Sequence, residues 1–204
     1  MGGGGSASAA HTSREKHDSG QSSDCVCRRV RAKRPVMTEH DFTTDDSDDG
    51  DPMELLARYF DAHGWDNEPV GDDEIVTTVQ GSWTSYELRA VWRRDDNVLQ
   101  ILLFPEIKIV EDRRSAVFEA LSLINEQLWM GHFEHWSSNG MILYRHAALL
   151  DDETMLTLDM AETLVQTAID ECERFYPVFQ FVLWGGKSPS EAIAAALIET
   201  RGEA

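Results

Sequence analysis

The residues best able to do chemistry in this 204-residue chain fall in a few places. Gly186-Lys187-Ser188 has the last three residues of a phosphate-cradling loop. Such a loop surrounds phosphate oxygens with glycine-rich backbone N–H groups. The pattern needs glycine five positions before Gly186, and Phe181 stands there. The same residues fit a helix start instead. Ser188-Pro189-Ser190-Glu191 holds both halves of a capping box, with proline at the first helical position. His132, His135 and His146 form a second group. Residues three apart on a strand point to opposite faces, so His132 and His135 would not chelate together. His135 and His146 could meet across strands, but two imidazoles without a third ligand make a poor metal site. Cys172 sits on an apolar helical stripe, where burial disfavours the thiolate. Cys25 and Cys27 form a C-x-C with no second pair at zinc spacing. No serine elbow is present, and no carboxylate pair is marked out. The expectation is therefore a protein with no catalytic residues, no metal and no cofactor.

The aromatic residues carry more. Trp129, Trp136, Phe175, Tyr176, Phe179, Phe181 and Trp184 crowd the second half of the chain. Most are expected in the core. Phe179, Phe181 and Trp184 follow Pro177, which removes a helical hydrogen bond. They need not share one buried stripe, and aromatics exposed near such a break would anchor a partner. These three are the expected partner-binding residues.

The elements that position these groups follow from periodicity. A first helix begins at Asp51, with Pro52 at its first position, a repeat of Leu55, Leu56, Tyr59 and Phe60, and Gly64 as a stop. Strands are expected at Glu74 to Val79, Tyr86 to Trp92 and Val98 to Phe104, the last nearly all apolar and so central. A second helix runs from about Arg113 to Met130 with Asp112 as cap. The strands Gly131 to Trp136 and Met141 to Ala148 form a hairpin around Asn139-Gly140. A third helix starts near Thr157 and is interrupted at Pro177, with Phe179 to Trp184 as a bent continuation. A last helix opens at Pro189. The order α-β-β-β-α-β-β-α-α describes an α+β fold: an antiparallel sheet of about five strands with helices packed on one face.

Charge divides the chain. Residues 1–36 hold seven Lys/Arg against three Asp/Glu, a net of +4; the rest holds eleven against thirty-four, a net of −23. Residues 1–50 read as a disordered leader and acidic linker, with a basic patch from Arg28 to Arg34, and Met37 is the expected start of the protein. The folded part spans 51–204. Its charge repels nucleic-acid phosphates and anionic lipid, and suits basic or apolar protein partners. No run of eighteen apolar residues is present. The cysteine usage fits a reducing cytoplasm.

Several strings resemble the YbjN family of bacterial proteins. They are Ile124-Asn125-Glu126, Gly131-His132-Phe133 with Trp136, Tyr144-Arg145-His146, and the run from Glu173 to Pro189, which is similar to the alphaproteobacterial branch. The resemblance covers roughly residues 52–202. It implies a fold like that of type III secretion chaperones, a cytoplasmic sensory transduction regulator, no catalytic residues and no cofactor. It also implies a groove or sheet that holds another polypeptide, with a homodimer as one arrangement.

The leading expectation is a protein-binding, chaperone-like regulator. An enzyme with an unmarked site would show a deep polar pocket with convergent carboxylates or histidines. A small-molecule sensor would show a closed apolar pocket of ligand size.

Overall fold

The computed structural model describes residues 51–150 and 155–202, with side chains described as far as residue 196. The readings placed on residues 1–50, including the leader, the basic patch, Cys25, Cys27 and the Met37 start, lie outside the described residues.

The described chain runs α1 (Pro52–Ala62), β1 (Asn67–Pro69), β2 (Glu74–Gln80), β3 (Ser85–Arg93), β4 (Val98–Phe104), α2 (Arg114–Asn125), β5 (His132–Trp136), β6 (Met141–Leu149), α3 (Leu158–Leu183) and α4 (Pro189–Gly202). All neighbouring strands are antiparallel, in the order β1-β2-β3-β4-β6-β5. The sheet therefore has six strands where about five were expected. The extra one, β1, is three residues of Asn-Glu-Pro with no apolar alternation to mark it. Tertiary pairing makes it a strand, not propensity. The nearly all-apolar β4 is interior, as its composition requires.

Alternation sorts the sheet into two faces. Register lines up Ile75, Ala90, Ile101 and His146 in one row, and Thr77, Leu88, Leu103, Tyr144 and Phe133 in the next. The apolar members of these rows are buried, and α1, α2 and α3 pack on the same side, with α4 against α2 and α3. The α+β reading, with helices on one face, holds.

Local chemistry explains most element ends. Asp51 accepts a hydrogen bond from the Met53 backbone at 2.9 Å, with Pro52 at the first helical position. Ser188 and Glu191 form the reciprocal capping box of α4. Asp112 does not cap α2. It lies in a 3-10 turn, Glu111–Arg113, and α2 begins without a side-chain cap. The β5–β6 loop also differs from a two-residue turn. Four residues connect the strands, and Gly140 is left-handed at φ 74°. Asn139 instead uses its side chain, accepting from the Met141 backbone at 3.0 Å.

Pro177 is the main surprise. It neither ends nor interrupts α3, which is continuous through it for 26 residues. A proline inside a helix leaves the carbonyl four residues earlier without its N–H partner. Here that carbonyl belongs to Glu173, and the Trp83 indole N–H donates to it at 3.1 Å. The Glu173 carboxylate meanwhile accepts from the Ser82 backbone N–H and from the Tyr86 hydroxyl at 2.6 Å. Trp83 stacks on Tyr176, ring centres 6.2 Å apart. The β2–β3 turn thus plugs the gap in the helix ladder. Gly81 permits the approach, because a Cβ there would sit 2.1 Å from the Tyr86 ring.

Candidate functional site

The sheet face away from the helices begins as a consequence of alternation. Its rows are Glu87, Phe104, Leu143 and Glu134; Arg89, Leu102, Arg145 and His132; and Val91 with Gln100. Leu102, Phe104 and Leu143 form an apolar cluster separate from the main core, with Val91 and Met141 packed against it. Trp136 stacks on Phe104 with ring centres 5.6 Å apart, and the Arg89 guanidinium lies 5.7 Å from the centre of the same ring. Ion pairs flank the strip. Arg89 pairs with Glu87 at 2.7 Å and Glu74 at 2.9 Å, and Arg145 with Glu134 at 2.6 Å. No helix of the described residues covers this strip, so long charged side chains and one indole shield it from water.

The sheet edges are partly blocked against an added strand. At β5, the Asn125 amide donates to the Phe133 carbonyl at 2.9 Å and accepts from the Phe133 N–H at 2.8 Å. One side chain therefore occupies the outward N–H and C=O of Phe133, which an added strand would otherwise pair with. At the other edge β1 is three residues long and ends in Pro69, a usual device for blunting an edge. Asn125 stood inside a string quoted for the family resemblance, but its edge-sealing role could not be read from the sequence. It depends on β5 folding back beside α2.

The three expected anchor residues separate. Phe179 is 1% exposed, and its ring meets Phe133 edge-on at 5.5 Å. Its assignment to partner binding is corrected: it is core. The reason is the uninterrupted α3, which carries the stripe of Cys172, Phe175, Tyr176, Phe179, Val182 and Leu183 straight through Pro177. Phe181 is half-buried against the core, and the Lys187 ammonium lies 5.0 Å from its ring centre. Trp184 is 65% exposed at the end of α3.

The other chemistry-bearing groups are occupied structurally. Ser188 spends its hydroxyl on Glu191 at 2.7 Å. Those bonds hold the Glu191 carboxyl below its ordinary range. The Cys172 thiol is buried, which pushes its pKa well up and suppresses the thiolate. His132 and His135 do face opposite sides, as expected from alternation. His135 and His146 do not meet: His135 pairs with Ile142, four residues from His146, or about 13 Å along the strand. His135 packs against Phe118 instead.

His146 faces the helices, and its Nδ1 is buried with no partner among the described residues. Burial, aided by nearby His132, lowers its pKa below the ordinary histidine range. The unfolded chain therefore binds a proton that the folded one refuses. This contribution to stability is complete above about pH 6.5 and is lost as pH falls through the lower folded value. Urea unfolding at pH 7.5 and 5.5 should show a drop for the native protein that is smaller in His146→Phe. An equal drop in both would remove His146 from the account.

No helix of the described residues is long and apolar enough to cross a membrane. No curated protein matches the chain. Two solved structures are similar in fold. One is the crystal structure of YbjN, "a putative transcription regulator from E. coli", at 9% identity and TM-score 0.45, covering 66% of this chain and 90% of that one. The other is the ExsC–ExsE complex, at 12% identity and TM-score 0.40, covering 60% of this chain and 88% of that one. Residues 52–181, from the first helix to within three residues of Trp184, match the family described as "putative bacterial sensory transduction regulator", and the chain belongs to that family, YbjN.

Proposed function

We propose that this protein is a non-enzymatic regulator that works in the cytoplasm by binding another polypeptide across the open face of its sheet. The observation that carries this reading is a sheet face that no helix of the described residues covers, where partly exposed Trp136 and ion-paired arginines lie over the buried side chains of Leu102, Phe104 and Leu143. Tryptophan and arginine are the side chains enriched at protein interfaces. Partly blocked edges favour docking on the face over strand addition. The family's description as a regulator supports the class of role. The net charge of −19 suits a basic or neutral partner segment. Ser188, Cys172 and His135 are committed to a cap, to the core and to ring packing, which supports a role without chemistry.

The test places a photo-crosslinking amino acid at Val91 or Gln100 of the full-length protein in its source cell. A crosslinker at Glu119, exposed on the opposite side on α2, serves as reference. A discrete polypeptide adduct is expected from Val91 and Gln100, weakened by Trp136→Ala and absent from Glu119. Equal adducts from all three positions, or none from the sheet face, would overturn the proposal.

A further inference from the structure

A surface cleft of about 350 Å³ opens between the end of β6 and the first turns of α3. Its size lies within the usual range of small-ligand sites, roughly 300–1,000 Å³. His146 and Ala148 come from β6, Asp159, Met160 and Leu164 from α3, and Met130 from the turn before β5. The lining is mostly apolar, and its two thioethers are flexible and make favourable contacts with aromatic rings. Thr163 also borders the cleft, but its hydroxyl is committed to the Asp159 backbone carbonyl at 2.8 Å.

The polar groups narrow the ligand class. Among the described residues, the Asp159 carboxylate is the one full charge on the lining, and it makes no ion pair there. His146 is neutral at physiological pH, because burial disfavours its imidazolium. The cleft therefore has no counter-charge for an anion, in a chain whose net charge is −19. An aromatic ring suits the Met130, Met160 and Leu164 walls, and a cationic head suits Asp159.

We infer that this cleft binds a small aromatic amine, its ring between Met130 and Met160 and its ammonium at Asp159. The site does not rest on the sheet-face reading: β6 carries His146 and Ala148 toward the helices, and Arg145 and Leu143 toward the open face. It gives the regulator a place to receive a chemical signal distinct from the surface proposed for its partner.

The experiment titrates the full-length protein, labelled with ¹³C at its seven methionine methyls, with tryptamine and with indole-3-propionate. Tryptamine is expected to shift Met130 and Met160 together and saturably, with a dissociation constant below about 1 mM. Met53, in α1, and Met141, on the open sheet face, should stay still. Indole-3-propionate should shift neither cleft methionine. Asp159→Asn should weaken tryptamine about two- to fivefold, the usual scale of an exposed ion pair. Thr163→Trp, an exposed position whose new ring would fill the cleft, should abolish the saturable shifts. Non-saturating shifts at both cleft methionines, equal binding of the carboxylate analogue, or an unchanged affinity in Asp159→Asn would each overturn the assignment.

Discussion

Phe179→Ala is expected to lower unfolding free energy by about 3–5 kcal/mol, while Trp184→Ala, five residues on, changes it by less than about 0.5 kcal/mol. The two aromatics lie on one continuous helix and differ only in which way they point. The Phe179 ring packs on Phe133, which also meets Tyr144 and Phe175 edge-on at 5.4 and 6.0 Å. Removing it opens a cavity among rigid rings that cannot collapse to fill it. Trp184 is largely in water, so its loss surrenders little buried surface. Chemical denaturation of both variants checks this pair. A small effect at Phe179 would mean that α3 breaks at Pro177 after all and frees the residues beyond it. Because Trp184→Ala leaves the fold intact, it also isolates any part Trp184 plays in partner binding.

Glu173→Ala is expected to cost about 2–3 kcal/mol, out of proportion to a partly exposed residue. The carboxylate holds the Ser82 backbone N–H and the hydroxyl of Tyr86, whose side chain is fully buried. Burial and the Glu173 contact both push the Tyr86 pKa up, so the phenol stays protonated and donates. Without the acceptor, a buried hydroxyl is left unpaired, at a cost of about 1–3 kcal/mol. The β2–β3 turn also loses its side-chain tether to α3. The Trp83 indole bond to the Glu173 carbonyl survives the substitution, since it uses backbone. A double-mutant cycle separates the two bonds. Trp83→Phe alone orphans that carbonyl, whereas with Pro177→Ala the helix can supply its own N–H, so the pair should couple by about 1 kcal/mol. Additive effects would show that the indole does not replace the missing helical bond.

Much of the architecture was legible from local pattern. β-Branched content located β2, two-residue alternation β3 and a nearly unbroken apolar run β4, and three- and four-residue spacing located α1 and the long stripe of α3. Ser188 and Glu191 announced the start of α4, and that same pair disposed of the phosphate-loop likeness. These features depend on residues a few positions apart, so their physics is contained in a short window of sequence.

What the sequence could not decide depends on contacts between distant residues. Pro177 signals a break when only its own helix is considered. The break is absent because Trp83, about ninety residues earlier, supplies a donor to the orphaned carbonyl. That rescue is also what sent Phe179 into the core and left Trp184 outside. β1 is a strand only because β2 lies beside it. Asn125 seals an edge only because β5 returns against α2. The uncovered sheet face and the cleft beside His146 arise in the same way, from register across strands and from which face the helices cover. By itself the sequence determined the periodic elements, the acidic balance and the α+β class, all of which follow from local spacing and composition. Tertiary structure alone decided which aromatics are buried, which edges are closed and which surfaces remain for a partner or ligand, because each of those rests on a hydrogen bond or packing contact between residues far apart in the chain.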